Sequence, residues 1–129
     1  MEPYFDKNIE IKYGNYSKPK LFNNEFVSVT NYDETPELLA LADADDLVAG
    51  VVGFLKIDSA DAISYLDKYE GMTGFKYLVG IRDIAHDYED VGYLAKPQVI
   101  KNVQELGRRG LVYDLLTKTP HMRAAINLV

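Results

Sequence analysis

The chain has 129 residues, enough to bury one ordinary core, and at 47% hydrophobic and 26% charged it is globular rather than disordered. Its 20 acidic against 14 basic residues leave a net charge of −6, a field that repels phosphate backbones and excludes nucleic acid as the expected partner. The absence of cysteine rules out disulfides, thiolate metal sites and cysteine nucleophiles.

The opening, MEPYFDKNIEIKYG, shows neither a basic leader nor an apolar signal core, and no apolar run reaches membrane-spanning length. The expectation is a cytoplasmic protein with no membrane partner. Residues 1–24 scatter Tyr4, Phe5, Tyr13, Tyr16 and Phe22 among Lys and Asn, with Gly14 and Pro19 as breakers. They form an N-terminal arm of unassigned role, in which NIEIKYG alternates like a half-exposed strand. From residue 25 the pattern changes. EFVSVTN reads as a first interior strand, followed by Thr35 as N-cap and Pro36 at the first position of a helix through about Ala44. Leu38, Leu39, Leu41 and Ala42 supply its buried side. The acidic Asp43, Asp45 and Asp46 lack calcium-loop spacing and read as a solvated loop.

VAGVVGFLKI is the second strand, and Gly50 and Gly53 inside it call for a close approach by a neighbouring element. Ser59 then caps a helix with Ile63, Leu66 and Tyr69 on one face, ending near Gly71. YLVGIRDI follows, with Arg82 near its end, and the loop HDYEDVGY places His86 as a base or polar contact. The next helix starts at Pro97, carries Val99, Ile100, Val103 and Leu106 on one face, and stops at Gly110. GLVYDLLT is the strand behind it. Asp114 in its middle is costly unless paired. Thr119 and Pro120 open a last helix with His121 in its first turn.

Continuous apolar runs separated by helices mean parallel strands joined by crossovers, and in such units chemistry gathers at the carboxyl ends of strands. Lys56, Asp58, Arg82, His86, Asp114 and Thr117 fall there. Strand starts near residues 26, 49, 78 and 111 give four βα units, half of an eight-unit barrel. The fold expectation is therefore α/β, parallel βα units of about half a TIM-type barrel, occupying residues 25–129.

AGVVGFLKIDSADA, and then LVGIRDIAHDYEDVGYLAKPQVIKNVQELGRRGLVYDLLTKTPHMRAAINLV, together resemble the amidohydrolase-related family in its sugar-lactonase and dicarboxylate-lactone hydrolase branch. That resemblance implies a (β/α)8 fold and hydrolysis of a lactone or similar ring ester, with a divalent metal in some full-length relatives. It also implies that these units are the second to fifth of the barrel. Arg82 stands where the family has the arginine of its GIR or GVR motif, as a carboxylate or lactone-oxygen contact. His86 lies where relatives often carry glutamine, and Asp114 and His121 match recurrent positions of the fifth unit. The family's His-x-His pair is missing, since His86 and His121 are the only histidines. So are its later histidine and its final aspartate. The resemblance thus implies a fragment or degenerate barrel with no catalytic residue assigned and no metal or other cofactor of its own. Such a chain would bind a small lactone or carboxylate through Arg82, His86, Asp114 and His121, and would pair with a second copy through open sheet edges. The alternative is a non-catalytic α/β module that binds a small molecule or another protein.

Overall fold

The computed structural model describes the backbone of Phe26–Ser28 and the whole of residues 31–129. The N-terminal arm at 1–24, NIEIKYG included, lies outside the described residues. Four strands, β1 (Phe26–Ser28), β2 (Gly50–Phe54), β3 (Leu78–Asp83) and β4 (Val112–Leu115), form one sheet in the order β1-β2-β3-β4. Every pairing is parallel. Helices α1 (Glu34–Ala44), α2 (Ala62–Glu70) and α3 (Pro97–Arg108) make the crossovers, and α4 (Met122–Leu128) follows β4. A strand order without reversal is the winding of a barrel, because a doubly wound sheet changes direction at a switch point. The expected half-barrel of βα units is the architecture found.

The sheet and helices close on Leu39, Val51, Leu55, Ile57, Leu66, Ile81, Val99 and Leu106, all fully buried. Two glycines set how closely the layers meet. A Cβ at Gly53 would stand 2.9 Å from Thr35 Cγ2 on α1, which is the close approach its place in a strand called for. A Cβ at Gly74 would lie 1.9 Å from the Leu39 carbonyl oxygen, so the turn before β3 passes directly against the α1 backbone.

Local details differ from the sequence reading for identifiable reasons. Helix α1 starts two residues early, at Glu34, and Asn31 Oδ1 takes the N–H groups of Asp33 and Glu34. Thr35 is therefore not a cap. It is fully buried, and its hydroxyl accepts the Phe54 N–H at 3.0 Å. Among the described residues β1 pairs with β2 as far as Ser28 with Val52, and the hydroxyl of Thr35 takes the β2 amide two residues further on. Leu41, placed on the buried side, is 41% exposed. Ser59 sits ahead of α2 and accepts the Asp61 N–H, a turn before the helix rather than its N-cap. Gly110 ends α3 in the left-handed conformation, φ 79°, as a stop glycine should. Among the described residues no helix is long and apolar enough to cross a membrane.

Candidate functional site

The carboxyl ends of β2, β3 and β4 form one rim, because all three strands run the same way. Arg82 and Asp114 are register partners across β3 and β4, so their side chains leave the sheet on the same side. Ile81 and its register partner Gly53 face α1, which puts Arg82 and Asp114 on the opposite, inner side. There Arg82 Nε donates to Asp114 Oδ2 at 2.8 Å, and Nη2 donates to the same oxygen. The pair is neither sealed nor fully solvated, with side-chain exposures of 30% and 38%. The interior acid that needed a partner and the strand arginine that needed an anion thus satisfy each other. Asp83 and Asp87, the acids adjacent to Arg82 in sequence, do not serve this purpose.

Asp83 has a separate task. Successive strand side chains point to opposite faces, so it turns away from Arg82 and is fully buried. Its Oδ2 accepts the Ile57 N–H at 3.0 Å and the Tyr93 hydroxyl at 2.7 Å. Its Oδ1 accepts the Ile84 N–H at 2.7 Å and the Tyr88 hydroxyl at 2.9 Å. Four donors around two oxygens make this carboxylate the hub that ties the end of β2 to the loop after β3. Burial raises the Tyr93 phenol far above its ordinary range, and the carboxylate of Asp83 adds to this because a phenolate beside it would be repelled. Tyr88 is raised for the same two reasons. Both rings therefore act as fixed hydroxyl donors.

On the solvent side of Tyr93 lies a second cluster. Lys56 Nζ donates to Asp58 Oδ1 at 2.7 Å and to the Tyr93 hydroxyl oxygen at 3.1 Å, while Lys96 Nζ donates to Asp58 Oδ2 at 3.1 Å. Lys56 Nζ also stands 4.4 Å from the centre of the Tyr88 ring and 4.9 Å from that of Tyr93. Burial by itself would raise the Asp58 carboxyl, but the hydrogen bonds from Lys56 and Lys96 outweigh it and hold Asp58 below its usual range. Beneath the cluster the buried Asn102 side chain of α3 donates to the carbonyls of Ile57 and Ser59, fixing the loop that carries Asp58.

The two histidines are placed differently. His86 is at the rim, with Nε2 3.1 Å from Asp87 Oδ1. His121 is only 5% exposed, and its Nε2 lies 2.9 Å from the Tyr88 carbonyl oxygen, so it holds the loop after β3 against the start of α4. Thr117 is half-buried and donates weakly to the Lys118 carbonyl at 3.4 Å. The structure brings together Arg82 with Asp114, and Lys56 with Asp58. It does not join either histidine to those pairs. Sequence reasoning missed Asp83 as a hub, and with it Tyr88, Tyr93 and Lys96. The available signal was an acid at the last position of a strand followed by two tyrosines in the loop behind it.

Among the described residues no three His, Cys, Asp or Glu side chains converge in a way that could hold a metal ion. The rim carboxylates are committed to Arg82, to two lysines, and to four hydrogen-bond donors, so this donor set does not fit a metal cage.

No family model and no curated protein matches the chain. Among solved structures it is similar to an amidohydrolase from Burkholderia multivorans with bound HEPES. The TM-score is 0.68 at 22% identity, over 80% of this chain and 36% of that one. It is similar also to an amidohydrolase from the same organism with bound zinc, at TM-score 0.66 and 22% identity, over 78% of this chain and 35% of the other. The chain thus spans about a third of the length of these neighbours. At this identity the likeness is one of fold.

Proposed function

We propose that the chain supplies the substrate-contact part of an amidohydrolase-type barrel that hydrolyses a sugar lactone or similar ring ester. The observation that carries this reading is the Arg82–Asp114 pair, held in register at the carboxyl ends of two parallel strands and partly open to solvent. A planar guanidinium offers paired N–H groups to a carboxylate or a lactone oxygen, and Asp114 holds it in orientation. His86 is a polar contact on the same rim in this reading. His121 keeps the loop after β3 in place behind it.

Lactone opening requires an activated water and a stabilised oxyanion. The carboxylates of Asp58, Asp83 and Asp114 are engaged by lysines, by four hydrogen-bond donors and by Arg82, so none of these three stands ready as the base. The reading therefore has the chain bind ligand without turning it over, and the metal named for one neighbour is assigned to that fuller barrel. The outer edge of β4 has no strand beside it among the described residues, and Val112 on it is 64% exposed. A second copy pairing through such an edge completes the proposal.

The test is acid release from a panel of aldonolactones, with and without zinc or manganese, alongside calorimetric binding of the same lactones and their open acids. Binding without turnover, abolished in Arg82→Ala, is the expected result. Absence of binding across the panel, or binding indifferent to Arg82→Ala, overturns the reading. Sedimentation showing only monomer at micromolar concentration removes the pairing.

A further inference from the structure

We propose that Lys56 and Lys96 form a binding site for a small oxyanion, distinct from the Arg82–Asp114 contact and independent of the hydrolase reading. Two ammonium groups converge on the one carboxylate of Asp58, each at hydrogen-bond distance from a different oxygen, which leaves the trio at net +1. The buried Asp83 carboxylate lies behind the cluster, with the Tyr93 hydroxyl between it and Lys56, so it balances part of that charge from below while the ammonium groups keep their solvent side. In a chain of net charge −6, the cluster sets two ammonium groups beside one another, both open to solvent, on the rim where parallel strands end.

The cluster is built rather than incidental. Lys56 is fixed by Asp58, by the Tyr93 hydroxyl and by the faces of Tyr88 and Tyr93, and Lys96 also lies over the Tyr93 ring, 4.9 Å from its centre. Tyr93 is fixed in turn by Asp83. Both ammonium groups remain reachable, with side-chain exposures of 39% and 41%. An ammonium carries three N–H donors. The contacts above engage two of the Lys56 donors and one of the Lys96 donors. The remainder can take oxygens of a phosphate or carboxylate arriving from solvent. Helix α3 begins at the residue after Lys96 with no side chain capping its first turn, so its positive end adds to the same field. Asp58 acts as the resident competitor: it holds the two lysines together in the empty state and shares them with the arriving anion.

This competition supplies the test. Inorganic phosphate and acetate are titrated separately into the full chain at low ionic strength, following the lysine Cε–H resonances by NMR. Saturable shifts confined to Lys56 and Lys96 are expected with at least one probe, and the stronger of the two identifies the oxyanion. Lys56→Met and Lys96→Met should each weaken binding about tenfold, the loss of one charge-assisted hydrogen bond. Lys101→Met, on the exposed face of α3, should leave it unchanged. Asp58→Asn should tighten binding about tenfold, a gain that a misfolded variant cannot imitate. Binding that is unaltered or weakened in Asp58→Asn, or equally reduced in Lys101→Met, overturns the proposal.

Discussion

Replacing Asp83 by Asn keeps the shape of the side chain and removes its ability to accept four hydrogen bonds. On whichever side the new NH2 group settles, it faces one backbone N–H, that of Ile57 or of Ile84, and one tyrosine hydroxyl. The hydroxyl can rotate and accept. The backbone N–H cannot, and stranding a buried donor costs about 1–3 kcal/mol. The two bonds kept by the amide oxygen lose their charge assistance, which brings the total to about 3 kcal/mol. Against a typical domain stability of about 5–15 kcal/mol this is a large fraction. With a urea m-value of about 2 kcal/mol/M, the midpoint should fall by about 1.5 M. Urea titration by far-UV circular dichroism measures it directly. Asp114→Asn, which breaks a partly exposed pair, should move the midpoint by less than about 0.5 M. If Asp83→Asn proves as mild as Asp114→Asn, Asp83 is not the hub described.

Gly74→Ala places a methyl group 1.9 Å from the Leu39 carbonyl oxygen and should cost about 3 kcal/mol, seen as a lowered thermal midpoint; a neutral substitution would show that the turn does not press on α1. Tyr88 and Tyr93 ionise above the ordinary phenol value of 10.0, so they favour the folded state fully below that pH and progressively less as pH rises past it. Absorbance titration at alkaline pH should therefore show these phenols silent until the chain unfolds, and Tyr93→Phe should leave the early part of the curve unchanged. Asp58 has the opposite sign: held below its ordinary 3.8, its contribution is present above that value and is lost as pH falls through the lowered one, which Asp58→Asn should erase from the acid limb of a stability profile. Arg109 links α3 to α2 by donating to Glu105, Asp67 and Glu70, but its two partners on α2 are exposed. Arg109→Met should cost less than about 1 kcal/mol and the difference should shrink in high salt.

The architecture was legible because parallel strands announce themselves as unbroken apolar runs, and VAGVVGFLKI, YLVGIRDI and GLVYDLLT each contain one, although β4 in the last leaves Val112 and Leu115 exposed rather than buried. The pairing of Arg82 with Asp114 was half legible. Each residue declared that it needed a partner, but only the register of β3 against β4 makes them neighbours. Asp83 drew no notice as a hub for a local reason: it sits next to Arg82 in sequence, but adjacency within a strand sends the two side chains to opposite faces, where they meet different partners. Tyr88 and Tyr93 were hidden in a loop of acidic composition, HDYEDVGY, in which Asp87, Glu89 and Asp90 around them are exposed. Composition averages over a loop, and two inward hydroxyls do not change the average. The closeness of Gly74 to α1 depends on a tertiary contact with no periodic signature, so the sequence carried no sign of it.

The central claim is that Arg82, steadied by Asp114, is where this rim meets a small carboxylate or lactone. The most direct measurement is the arginine Nε–H region of a nitrogen-15 correlation spectrum during titration with an aldonic acid. The account predicts a saturable shift of the Arg82 Nε–H resonance that a neutral sugar does not produce and that Asp114→Asn alters. An Arg82 resonance that stays fixed while the acid binds elsewhere would contradict it.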